Sequence, residues 1–175
     1  MAPMKLLLMI GVLLLPPTGS TKLQDAPTGV SDFNFVFRYG SCWTNEIDTA
    51  KGKFTYDISG KQQAVADLKL TRAEMDQIEK KLESMDFWNS SKFPAAFRIP
   101  NNSNIGCGHA PLQPIYIAVT RGGIQKKLAW DDTDSACSPS PEARMLRELE
   151  SLIRGVIASK PEAGAILGRE TRGCA

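Results

Sequence analysis

The sequence predicts an α+β domain: an antiparallel sheet of four or five strands from two hairpins, with two helices packed on one face. Three observations predict it. Phe33, Phe35, Phe37 and Tyr39 alternate with Asn34, Val36 and Arg38, the period of a strand with one buried face. Thr71-Arg72-Ala73-Glu74 is a capping box that opens a helix. Ile115, Ile117 and Val119 then meet Ile124, Lys126, Leu128 and Trp130 across Arg121-Gly122-Gly123, a hairpin followed by a second capped helix at Ser140.

The elements follow in order. Residues 1–20 read as a secretory signal peptide: Lys5 gives a positive start, residues 6–15 are almost wholly apolar, and Pro16-Pro17 precede the small residues Thr18-Gly19-Ser20. A spanning helix needs roughly 20 apolar residues, so this run is too short for an anchor. No cysteine stands where a lipid anchor requires one. Residues 21–31 form a flexible lead, and residues 32–175 a single α+β domain.

After the first strand a loop is expected over residues 40–52. Phe54, Tyr56 and Ile58 alternate as a second strand, and Ala66, Leu68 and Leu70 as a shorter third. In the first helix Met75, Ile78, Leu82 and Met85 fall on one face. Residues 86–114, broken by Pro94, Pro100, Pro111 and Pro114, read as a long irregular loop, and such loops serve function or are held by disulfides. The second helix starts with Pro141 and Glu142, carries Met145, Leu149, Leu152 and Val156 as its core stripe, and stops at Lys160-Pro161. The order is ββ(β)αββα.

Composition narrows the function. Without the signal, 20 basic residues face 19 acidic ones, because Lys5 is one of the 21 in the full chain. That balance gives no electrostatic reason to expect nucleic acid or an anionic membrane. No stretch after the signal is apolar enough to cross a membrane.

Cys42, Cys107, Cys137 and Cys174 are an even set in a chain read as exported, so two disulfides are expected, with three possible connectivities. Cys107 and Cys137 flank the open end of the second hairpin. Pairing them closes a loop worth on the order of 3–4 kcal/mol, and leaves Cys42 to Cys174.

Phe37-Arg38-Tyr39-Gly40, Asn45-Glu46-Ile47-Asp48-Thr49 with Gly52, Leu70-Thr71 and Trp130-Asp131 together resemble a group of uncharacterised bacterial exported, lipoprotein-like proteins over residues 33–162. The resemblance implies export and an α+β domain, and implies no activity. This chain departs from the group in lacking the anchoring cysteine.

Candidate chemistry is sparse. His109, the single histidine, makes Cys-Gly-His with Cys107, but oxidised cysteines cannot ligate and the spacing is wrong for structural zinc. No Gly-x-Ser-x-Gly elbow offers a nucleophile. Asp131-Asp132-Thr133-Asp134 lacks the glycine and the closing glutamate of a calcium loop. Neither a metal nor a cofactor is expected.

Glu46 and Asp48, beside Trp43, are the paired carboxylates that a small extracellular hydrolase would use. Trp43, Trp88 and His109 are the candidate binding residues. Asn89 and Asn101 match the glycan acceptor pattern, relevant only in a eukaryotic source. The expectation is an exported, non-enzymatic domain that binds a protein or cell-envelope component, in the manner of an inhibitor with a stapled loop. The alternative is the carboxylate-dependent hydrolase.

Overall fold

The computed structural model describes residues 32–40, 45–58, 63–97, 114–131 and 140–167. It is α+β, with a mixed sheet of seven strands and three helices. In chain order these are β1 (Asn34–Tyr39), β2 (Asn45–Asp48), β3 (Lys53–Asp57), β4 (Gln63–Asp67), α1 (Arg72–Ser84), β5 (Ala96–Phe97), β6 (Pro114–Arg121), β7 (Ile124–Asp131), α2 (Pro141–Ala158) and α3 (Pro161–Leu167). The strands lie in the order β4-β3-β2-β1-β6-β7-β5. All neighbours are antiparallel except β5 and β7.

Alternation in β1 sets the two faces. Phe35, Phe37 and Tyr39 are buried, while Asn34, Val36 and Arg38 keep partial exposure on the other side. Register carries the apolar face across the sheet as one row, Ala66-Phe54-Ile47-Phe37-Ile117-Leu128. The opposite face carries Val65-Thr55-Glu46-Arg38-Tyr116-Ala129-Ala96. Ile78 and Leu82 of α1, Leu146, Leu149 and Ile153 of α2, and Ala163 and Ile166 of α3 join the phenylalanines in one core.

Both predicted helix starts are present. Glu74 N–H donates to Thr71 Oγ1 at 3.3 Å while Glu74 Oε2 accepts from Thr71 N–H at 2.7 Å. Ala143 N–H donates to Ser140 Oγ at 3.0 Å. The β6–β7 turn has positive φ at Gly122 (56°) and Gly123 (74°), the two-residue geometry that matches strand twist.

The two longer helices are joined by Lys81 to Glu148, and the end of α2 is tied to the start of α1 by Lys160 to Glu74 at 2.6 Å. Arg121, at the β6–β7 turn, reaches Glu79 at 3.0 Å and Glu83 at 2.7 Å on α1. Arg154 of α2 lies over the Tyr39 ring at the other end of the strands. The helices therefore serve opposite ends of the sheet.

Four details depart from the sequence reading. The sheet has seven strands rather than four or five. Residues 45–48, expected inside a loop, form β2 and separate β1 from β3, so the first half is a four-strand meander and not a hairpin. The third strand is residues 63–67; Leu68 is buried just beyond it. Lys160-Pro161 does end α2, but Pro161 also starts α3, because proline suits a first helical turn.

The expected loop over residues 86–114 divides. Its first part packs tightly: Phe87 and Phe93 are fully buried and β5 pairs with β7. Asp86 takes positive φ (58°) after α1, where Phe87 N–H donates back to Leu82 O at 3.1 Å and closes the helix.

Candidate functional site at one end of the sheet

Trp43, His109, Asn101 and all four cysteines lie outside the described residues, as do residues 132–134. Trp88 is half-buried against the core, its ring edge-on to Phe87 at 5.8 Å and 78°. Asn89 is exposed; its Oδ1 accepts from Ser91 N–H at 3.0 Å.

Glu46 and Asp48 stand two apart on β2 and so share a face, the one without helices. Each carboxylate is occupied. Glu46 Oε2 accepts from Arg38 Nε, and the Arg38 guanidinium lies 5.5 Å from the Tyr116 ring centre. Asp48, 6% exposed, accepts from Lys51 N–H at 3.0 Å and pairs with Lys51 Nζ at 2.8 Å. Burial pushes the Asp48 carboxyl up, but the Lys51 ammonium and the backbone N–H groups of Lys51 and Ala50 outweigh it and hold it below the usual carboxylate range.

The neighbouring motif residues have structural work. Thr49 Oγ1 accepts from Phe35 N–H at 2.8 Å and donates to Phe35 O at 3.0 Å, which fastens the β2–β3 turn to β1. Asn45 Oδ1 accepts from Asp57 N–H at 3.0 Å. Gly40 has φ +83°, and a Cβ there would stand 2.6 Å from Asn45 Nδ2. Tyr39-Gly40 and Asn45-x-x-Asp48-Thr49 are thus the turn and strand fastenings of a meander.

A different set of residues converges at the Tyr39 end. Tyr39, Asn45 and Tyr56 are buried there on the helix-bearing face of adjacent strands with Asp57 buried beside them at the end of β3, and α2 sets Arg154 and the buried Glu150 by Tyr39. The Arg154 guanidinium sits 4.8 Å from the Tyr39 ring centre and donates to Glu150 Oε1 at 2.8 Å. Burial pushes the Tyr39 hydroxyl up to about 12; Arg154 opposes this, and Tyr56 and Glu150 add to it. At the same end of β7, Trp130 is buried and its indole Nε1 has no hydrogen-bond partner among the described residues.

This is also the end where the remaining connections attach. Tyr39 and Asn45, Asp57 and Gln63, Pro114 and Asp131, and Phe97 beside Trp130 all stand there. Connections 41–44, 59–62, 98–113 and 132–139 therefore depart from and return to it, or leave it for α2. Trp43 and His109 belong to two of them.

Sequence reading missed this convergence. Tyr39 and Tyr56 alternate on two different strands and Glu150 and Arg154 stand four apart on a helix; only strand order brings them together. Among the described residues, no group of three His, Cys, Asp or Glu side chains could hold a metal ion. No described helix is long and apolar enough to cross a membrane. No protein-family model matches the chain, and no curated protein matches it.

Proposed function

We propose that this chain is an exported, non-enzymatic domain that binds a protein or cell-envelope component through the Tyr39 end of its sheet. The observation that carries the reading is the common attachment of connections 41–44, 59–62, 98–113 and 132–139 around the buried polar residues of that end. Binding residues are disproportionately set on connections held by a rigid scaffold. Trp43 and His109 fit that role as an aromatic anchor and a polar contact, and Trp88 keeps a partly exposed ring beside Phe87. Export rests on Lys5, the apolar run of residues 6–15 and the small residues after it. Two disulfides among Cys42, Cys107, Cys137 and Cys174 belong to the same reading.

The carboxylates favour binding over hydrolysis. A glycosidase acid must hold a proton near neutral pH. Asp48 is held ionised, and Glu46 is spent on Arg38.

The test is capture from the native secretome and envelope with the tagged, exported chain. Replacing residues 98–113 by a short Gly-Ser linker leaves Phe87, Phe93 and β5 intact. Trp43→Ala is expected to abolish capture while the melting midpoint stays within a few degrees; the loop replacement, which also removes Cys107 and its disulfide, is expected to abolish capture in a chain that melts lower but still folds. A partner retained by both variants overturns the reading. Hydrolysis of glycan or ester panels that disappears in Glu46→Gln and Asp48→Asn overturns it in favour of the hydrolase. Mass measurement with and without reductant checks the disulfides.

A further inference from the structure

We infer that two copies of this chain associate edge to edge through β4, joining their sheets about a two-fold axis at Val65. Among the described residues β4 is the outermost strand on its side, and its backbone is a regular five-pair ladder toward β3. Exposed edges are ordinarily blunted by lysine, proline, a bulge or extreme shortness. The other edge, β5, is two residues long. Gln63-Ala64-Val65-Ala66-Asp67 has no lysine, proline or bulge, and its one charge, Asp67, is already paired with Lys53.

Register argues for a second copy as the occupant. An antiparallel pairing centred on Val65 sets Val65 against its counterpart, Ala64 against Ala66, and the Gln63 amide against the Asp67 carboxylate, with no like charges opposed. A one-residue slip flips every side chain to the wrong face, so this register is preferred. Val65 is 60% exposed, one of two large apolar side chains so placed among the described residues. Pairing covers it on the helix-free face.

The neighbouring layer allows the approach. α3 packs against β3 and β4, and its outer positions include Gly164 and Ala165. A Cβ on Gly164 meets nothing within 4 Å, so bulk added there disturbs no contact inside a single chain. The open sheet face is a poorer candidate, because its charges pair with each other: Arg38 with Glu46 and Lys53 with Asp67.

Sedimentation velocity over a concentration series of the exported chain tests this. The wild-type chain is expected to pass from one copy to two as concentration rises. Val65→Lys and Val65→Glu alone each move that midpoint at least tenfold upward without changing the melting midpoint of the single chain. An equal mixture of the two variants recovers association, because lysine then faces glutamate. A wild-type chain that stays single into the millimolar range overturns the inference. So does association that survives both substitutions, or a mixture that recovers nothing.

Discussion

The two ends of the sheet differ in how their polar groups are used. At the Arg121 end the chain turns tightly and the fastenings are explicit. Thr49 holds Phe35 by both backbone groups, Asp48 caps the turn at Lys51, Leu68 N–H donates to Gly52 O at 2.9 Å, and Arg121 ties the hairpin to α1. At the Tyr39 end the polar groups are as buried, but they include an indole N–H with no partner among the described residues and a tyrosine whose ionisation burial strongly opposes. Buried polar groups that are fully satisfied specify a fold. Those that are not mark where the fold gives way to another demand. Of the two carboxylates that looked chemical in sequence, Asp48 sits with the fastenings and Glu46 pairs with Arg38 on the open face, while the unassigned polar cluster sits where the connections attach.

The comparison breaks first at Gly40, where the largest effect is expected. Gly40→Ala places a Cβ 2.6 Å from Asn45 Nδ2 in a left-handed conformation, and is expected to destabilise by about 3 kcal/mol in denaturant melts. Asn45→Ala in the same chain removes the clash, so the two costs combine to less than their sum. Strict additivity would contradict the contact.

The helices and the long hairpin were legible because their signals are local. A capping box, a Ser-Pro-Glu start and a Gly-Gly turn each satisfy their own backbone within a few residues. The strand β2 was not. Asn45-Glu46-Ile47-Asp48 has one apolar residue and types depleted in strands, and only its place between β1 and β3 makes it one. Likewise β5 is two residues of parallel pairing, a partnership no sequence period announces. Pro161-Glu162 repeats the start of α2 and was a readable signal for α3. The candidate site is a product of strand order, so alternation alone hid it.

At the tight end, Thr49→Val keeps the shape and the Thr49 N–H bond to Phe35 O but removes both side-chain bonds to Phe35. A loss of about 1–2 kcal/mol in the same melts is expected; no loss would mean the turn is held by other contacts. Asp48 sharpens this through pH. Its folded pKa lies below its unfolded value, so its contribution is present at neutral pH and is lost as pH falls through the unfolded and then the folded value. Asp48→Asn should flatten the acid limb of the stability curve.

Tyr39 does the reverse at the other end. Its folded pKa is raised from 10.0 to about 12, so its contribution is full below pH 10 and declines as pH rises through that interval. Tyr39→Phe should flatten the alkaline limb, and phenolate absorbance in the wild type should show one late-titrating tyrosine. The smallest effect is expected at Trp130. Trp130→Phe removes a donor with no partner among the described residues, along with some apolar area, and should cost below about 1 kcal/mol.

Photo-crosslinking from the two ends distinguishes which of them meets a partner. A benzoylphenylalanine is placed at residue 43 or at the exposed Ala50, and each exported chain is irradiated in its native envelope. A discrete crosslinked partner is expected from position 43 and none from position 50. A partner captured from position 50 and absent from position 43 would contradict binding through the Tyr39 end.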